Sequence, residues 1–236
     1  MTEKTFKWRF EQKYYLSIAE YMRLREYLAA IMRRDPHADP FGRYRIRSLY
    51  FDTLHNDDYV DKLDGVYRRQ KVRLRYYNDD INFIRLEVKH KEDQFIRKTS
   101  GRITTKDARS LISDPSGLHL LTQYDHPAAR DVLHLFSSRY YRPAALIDYE
   151  REAYILDVQN VRITFDLNLR FSNTDLDMFG RVPLLPALDP QITILEVKYY
   201  EFLPDLIAKT LRMFRLQRSA ISKYCYGREL NTLSLI

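Results

Sequence analysis

Apolar and charged residues alternate with a period of two through much of the chain, a pattern that predicts strands whose charges stack on one face. In 71–75, Lys71, Arg73 and Arg75 share a face opposite Val72 and Leu74. In 84–91, Arg85, Glu87, Lys89 and Lys91 stand opposite Ile84, Leu86 and Val88. Residues 7–15 set Arg9, Glu11, Lys13 and Tyr15 against Phe10 and Tyr14. Residues 161–171 group Arg162, Asp166 and Arg170 against Val161, Ile163, Phe165, Leu167 and Leu169, and farther on Glu196 and Lys198 lie in front of Leu195 and Val197. Strands are expected at 7–15, 43–52, 66–77, 81–90, 142–171 with a turn at 157–160, and 191–200, with Asn78-Asp79-Asp80 as a hairpin turn.

Helical spacing is confined to a few stretches. Ser17 with Glu20 three residues on predicts a capped helix through Tyr21, Leu24, Leu28 and Ile31, ending near Asp35-Pro36. A short helix follows Thr105, another runs from Pro127 to Arg139, and Pro204 opens one through Leu206, Ile207, Leu211 and Phe214, before a tail segment from Ser222 to Gly227. No Ser/Gly linker or low-complexity tract divides the sequence, so a single domain over 1–236 is expected.

A single strand of this kind is ordinary antiparallel sheet with one wet face. Five of them imply a sheet that curls into a barrel with a polar lumen, its outer face covered by helices. Lysines and arginines facing one another there require a polyanion or interspersed carboxylates. The balance of 39 Lys+Arg against 32 Asp+Glu, +7 overall, also favours a polyanionic partner. Nucleic acid is not expected, because Glu87, Asp166 and Glu196 interrupt the basic rows, whereas a surface that tracks a phosphate backbone is exposed and mostly free of acids.

Glycine is too scarce, at 6, and wrongly placed for a phosphate-cradling loop of either common kind, so side chains must grip the phosphates. The six histidines form no metal-ligand pair, and a single cysteine, Cys225, excludes an internal disulfide and suits a reducing compartment. Without a signal-peptide pattern or an apolar run near the ~20 residues of a membrane helix, a cytoplasmic protein is expected, one that would reach a membrane only through a partner chain. Glu11, Glu87 and Glu196 each precede a lysine by two residues, and Leu-Glu-Val-Lys occurs at 86–89 and 195–198. These are either same-face ion pairs or, for one or more of the glutamates, oxygen ligands to Mg²⁺ or Mn²⁺ bridging phosphate oxygens.

In order, E-x-K at 11–13, R-S-L-Y-F-D-T at 47–53, K-V-R-L-R at 71–75, L-E-V-K at 86–89, Lys98, Y-E-R at 149–151, R-I-T-F-D at 162–166, L-E-V-K at 195–198 and S-K-Y at 222–224 resemble the VTC domain. That domain is the polyphosphate polymerase branch of the triphosphate tunnel metalloenzyme (CYTH-like) superfamily, and the similarity spans residues 7–228. The resemblance implies an α+β fold, an eight-stranded antiparallel β-barrel tunnel with surrounding helices. It implies transfer of the γ-phosphoryl group of ATP onto inorganic polyphosphate, with Mn²⁺ or Mg²⁺ as cofactor. The same resemblance implies phosphate-binding and catalytic roles for Arg73, Arg75, Lys89, Arg151, Arg162 and Lys223, and phosphate binding by Lys13 and Lys98. Lys198 is a plausible addition to that set. Glu196, with Glu11, would bind the metal, while Tyr50 and Asp52 are expected to pack. Hydrolytic and cyclase members begin with E-x-E-x-K, and here Arg9 replaces the first acid, which favours the polymerase. Hydrolysis of triphosphates and non-catalytic polyphosphate binding remain the alternatives.

Overall fold

The computed structural model describes residues 9–93 and 95–229. Residues 1–8 and 230–236, the outer ends of the expected domain, lie outside the described residues, and with them positions 7 and 8 of the first expected strand. In chain order the elements are β1 (Phe10–Ser17), α1 (Ile18–Ile31), β2 (Arg33–Arg34), β3 (Arg43–Thr53), α2 (Asp57–Leu63), β4 (Arg68–Tyr77), β5 (Ile84–Glu92), β6 (Phe95–Ile103), α3 (Thr105–Ser113), α4 (Pro127–Ser138), β7 (Tyr141–Leu156), β8 (Val161–Ser172), β9 (Leu185–Pro186), β10 (Ile192–Tyr199), α5 (Asp205–Met213) and α6 (Lys223–Glu229).

Local chemistry sets several of these boundaries. At the start of α1, Ser17 Oγ accepts from the Glu20 N–H at 3.3 Å and Glu20 Oε2 accepts from the Ser17 N–H at 2.8 Å, the reciprocal cap predicted by the spacing. The β4–β5 hairpin turns through Asn78 and Asp79 at φ 49° and 59°, a backbone these two residue types tolerate. Asp52 is the structural group expected. It accepts the backbone N–H groups of Asp58 at 2.9 Å and Tyr59 at 3.0 Å, at the start of α2, and the hydroxyl of Tyr224.

Eight antiparallel strands pair in the order β1-β10-β8-β7-β3-β4-β5-β6 and curl into a half-barrel. The edge strands β1 and β6 share no ladder among the described residues. Lys89 of β5 nevertheless reaches Glu11 of β1 at 3.0 Å. Part of β1's free edge is taken by the segment before α6: Ser219 N–H donates to the Lys13 carbonyl at 2.9 Å, and Arg218 bridges Tyr14. The wall is thus completed by side chains and by this segment rather than by a ladder between β1 and β6.

Outward apolar rows bury against two groups of helices. Val72, Leu74, Leu86 and Val88 pack under α3 and α4 through Ala108, Leu111, Ala129 and Val132. Ile163, Phe165, Leu195 and Val197 pack under α1 and α5 through Leu24, Leu28, Ile207 and Leu211. Each such side chain removed from water contributes about 1.5–3 kcal/mol. A third apolar cluster joins Tyr50, Ile147, Tyr149, Leu169, Phe171, Ile221 and Tyr224.

That third cluster corrects the expected grouping on β8. Arg170 does not share a face with Arg162 and Asp166, nor Leu169 with Val161. The β7–β8 register shifts between Asp148 and Glu150, and Asn168 sits at φ 51°. This bulge inserts one residue and reverses the alternation. Leu169 and Phe171 therefore join Ile147 and Tyr149, while Arg170 donates to Asp148 at 2.7 Å, beside Arg45 and Arg47, which bind the same carboxylate.

Candidate functional site

The barrel encloses a cavity of about 1290 Å³, and all eleven residues singled out by the family resemblance line it. β4 contributes Arg73 and Arg75, β5 Lys89, β6 Lys98, β7 Arg151 and β8 Arg162. β10 contributes Glu196 and Lys198, β1 Glu11 and Lys13, and α6 Lys223. They converge because each occupies the inward parity of its element. Sixteen Lys and Arg against six Asp and Glu form the lining, an excess of ten positive charges that exceeds the +7 of the whole chain. The rest of the molecule is therefore net acidic.

Two clusters of ion pairs hold this charge. In the first, Glu87 accepts from Arg73 Nε at 2.8 Å, binds Lys98, and lies 3.8 Å from Arg75. Arg73 also donates to Tyr50 at 2.7 Å, and Arg75 donates to Ser48 at 2.9 Å. Burial alone would raise the Glu87 carboxyl, but Arg73, Arg75 and Lys98 outweigh it and hold the group well below the usual carboxylate range. In the second cluster Glu196 meets Lys198 at 2.6 Å, Lys223 at 2.9 Å, Lys13 at 3.4 Å and Arg151 at 3.5 Å. Asp166 accepts a two-pronged contact from Arg151 at 2.6 and 2.8 Å and also binds Lys223. Burial would raise Glu196 as well, and those four cations again outweigh it. Burial pushes Lys198 down to about 7 against the pull of Glu196 and Glu11.

Two of the three Glu-x-Lys pairs form the same-face ion pair expected and the third does not. Glu11–Lys13, at 3.3 Å, and Glu196–Lys198 are same-strand pairs, whereas Glu87 turns to Arg73 and Lys98, leaving Lys89 to Glu11. Arg162 lies toward the rim, held by Asp35 and by the Tyr44 hydroxyl at 2.8 Å.

Among the described residues no three His, Cys, Asp or Glu side chains cluster closely enough to hold a metal ion. Glu11 and Glu196 converge on the Lys13 ammonium, at 3.3 and 3.4 Å. Two hard carboxylates fit a cation that draws its remaining ligands from phosphate and water, as Mg²⁺ does.

Several lining residues carry no site role in the sequence reading, although Lys71 and Arg85 stand in the charged rows expected from it. Tyr50, expected to pack, presents its hydroxyl to Arg73; burial would raise it, but Arg73, Arg75 and Lys71 bring it down to about 8. Lys71, Tyr149, Arg69 and Arg85 also line the cavity. For Lys71, Arg69 and Arg85 the signal was the inward parity of β4 and β5. Tyr149 follows from the parity of Arg151 two residues on.

A half-barrel of this kind recurs in proteins of distant sequence. A Hippeastrum protein described as a candidate adenylyl cyclase with a dominant triphosphatase activity superposes with a TM-score of 0.59 at 15% identity, over 94% of this chain and 95% of that one. A candidate adenylate cyclase of Bacillus halodurans gives 0.52 at 12% identity, over 92% and 94%. The fold is that of the triphosphate tunnel. No curated protein matches the chain. The VTC domain model matches residues 8–231, nearly the full length, and the chain belongs to the VTC-domain family.

Proposed function

We propose that this protein is a polyphosphate polymerase that transfers the γ-phosphoryl group of ATP onto a growing inorganic polyphosphate chain and releases ADP. The observation that carries this reading is the excess of ten positive charges lining one cavity, far more than a lone phosphate group would need and contributed by several strands and α6. Arg73 and Arg75, two residues apart on β4, stand on one face with backbone positions about 6.5–7 Å apart, a spacing that lets their guanidiniums meet neighbouring phosphates of one chain.

In the transfer, the bond from the γ-phosphorus to the β,γ-bridging oxygen breaks with its electron pair leaving on ADP. A terminal phosphate oxygen of the acceptor forms the new bond. That oxygen is already ionised at neutral pH, so the reaction needs no protein base. Catalysis consists of aligning the two phosphates and neutralising the charge spread over the γ-phosphoryl oxygens and the leaving oxygen. Arg73, Arg75, Lys89, Arg151, Arg162 and Lys223 serve that purpose, with Lys13, Lys98 and Lys198 holding the remainder of the chain. Glu11 and Glu196 would hold Mn²⁺ or Mg²⁺, which when bound supplies further neutralisation of phosphate charge.

ATP and polyphosphate are the partners on this reading, nucleic acid is not, and the single buried thiol of Cys225 suits the cytoplasm. No helix among the described residues is long and apolar enough to cross a membrane. Incubation with ATP and Mn²⁺, with separate assays for ADP, long-chain polyphosphate and free orthophosphate, tests the proposal. ADP matched by chain phosphate is expected. ADP matched by orthophosphate would make the protein a hydrolase, and no turnover would leave a binding module.

A further inference from the structure

Every cation in the two ion-pair clusters has a carboxylate within 4.0 Å. Lys71, on the cavity wall beside them, has none among the described residues. Its ammonium donates to the Ser222 hydroxyl at 2.6 Å and lies 5.4 Å from the centre of the Tyr224 ring. The groups that face it are Tyr50 from β3, Lys89 from the paired position on β5, Lys13 from β1, and Ser222, Tyr224 and Cys225 around the start of α6. Asp58 on α2 also senses Lys71, but it is hydrogen-bonded to Tyr141, and burial together with Asp52 pushes its carboxyl up to about 8. It is therefore mostly protonated at neutral pH and offers Lys71 little negative charge there.

A buried cation beside two others, with no carboxylate of its own within 4.0 Å among the described residues, is poorly compensated. Burial brings the Lys71 ammonium down to about 8, Lys13 and Lys89 lowering it further while Cys225 and Tyr50 pull it the other way. In the unliganded protein the group is thus close to losing its proton, while its neighbours Lys89 and Lys13 keep their own carboxylates. Its hydrogen bond to a neutral hydroxyl leaves two N–H donors for an incoming oxygen.

We propose that Lys71 is a phosphate-binding position whose counter-charge is the ligand itself, so that a phosphate chain enters this part of the cavity together with a proton taken from solvent. The inference rests on the reading of the cavity as a phosphate tunnel. It adds a residue to the grip and makes binding weaken as pH rises past the free lysine's titration. The neutral amine gains a proton, the ammonium so formed pairs with a phosphate oxygen, and no other bond changes.

Calorimetric titration with sodium tripolyphosphate, in two buffers of different ionisation enthalpy, tests this on the wild-type protein, Lys71→Arg and Lys71→Met. At pH 8 the methionine variant should bind at least about tenfold more weakly. The arginine variant, always charged, should bind near wild type. The wild type should take up more protons than Lys71→Arg at pH 8, since the free lysine is partly deprotonated there and arginine is not. That difference should vanish near about pH 6, where the lysine is fully protonated. Protons exchanged by the ligand itself cancel in the comparison. Unliganded Lys71→Met should melt at or above the wild-type temperature, because it removes an unpaired charge; a lower melting point would assign Lys71 a structural role and overturn the proposal. Unchanged affinity in Lys71→Met, or equal proton uptake in wild type and Lys71→Arg at pH 8, would overturn this inference alone. Failure of the wild type to bind tripolyphosphate would overturn the tunnel reading with it.

Discussion

Arg73 touches the Glu87 carboxylate and the Tyr50 hydroxyl with different nitrogens, so its planar fork is held in place before any ligand arrives. Lysine would keep the charge and lose the fork, so Arg73→Lys should still bind tripolyphosphate but turn over poorly. Arg73→Ala should bind weakly and lose about 10²–10³ in turnover, the usual effect of removing one aligned donor from a charge-stabilising site. Steady-state kinetics on both variants checks this, and wild-type turnover in either would place Arg73 outside the reacting region. Glu196 sits among four cations, so Glu196→Gln should cost the unliganded protein about 3–5 kcal/mol by leaving buried charge uncompensated. Tripolyphosphate should then raise the variant's Tm more than the wild type's, because the ligand replaces the missing anion; equal shifts would show that the ligand binds elsewhere. Asp58, pushed up to about 8 by burial and Asp52, is the opposite case. An unfolded aspartate titrates near ~3.9, so Asp58 contributes full stability below that pH and loses it as pH rises toward 8. Asp58→Asn should accordingly gain on the wild type between about pH 5 and about pH 8, as read by Tm, then run parallel to it; a constant gap would contradict the assignment.

At the scale of elements, one bulged residue decides which side chains of β8 join the apolar cluster beside the cavity. Asn168 adopts φ 51°, where a β-branched residue is strained by about 1–2 kcal/mol. Asn168→Val should lower Tm and weaken tripolyphosphate binding together, while Asn168→Gly should stay near wild type in both; equal behaviour of the two variants would mean that the bulge does not set the register. The same residue shows what the sequence could and could not reveal. Period two made the inward rows of β1, β4, β5 and β10 legible, because a strand without a bulge keeps its parity from end to end. It failed past Asn168, since an asparagine in a strand does not by itself announce an inserted residue. β6 was missed as a strand because it is the sheet's edge, with Arg97, Lys98 and Arg102 along it and little apolar signal. α2 is short, and Asp52, six residues before Asp58, helps hold its first turn. The segment 222–227 read as a tail. Its helix packs instead against β7 and β8, closely enough that a Cβ on Gly227 would come 2.6 Å from the Ile147 methyl. Long-range placement of this kind leaves no periodic trace.

Across the whole molecule, charge is segregated rather than merely abundant. The cavity holds an excess of ten positive charges and the rest of the chain is net acidic, so a polyanion is drawn inward while duplex DNA, too wide to enter, meets an unfavourable surface. The measurement that tests this most directly is competition at physiological salt between tripolyphosphate and duplex DNA for the wild type, for Arg73→Ala, and for Arg33→Ala, whose arginine pairs with Asp157 on the exposed exterior. Strong preference for tripolyphosphate, weakened by Arg73→Ala and untouched by Arg33→Ala, is the predicted result. Equal affinity for the two anions, or equal losses in the two variants, would show that phosphate binds the outer surface and would contradict an enclosed site.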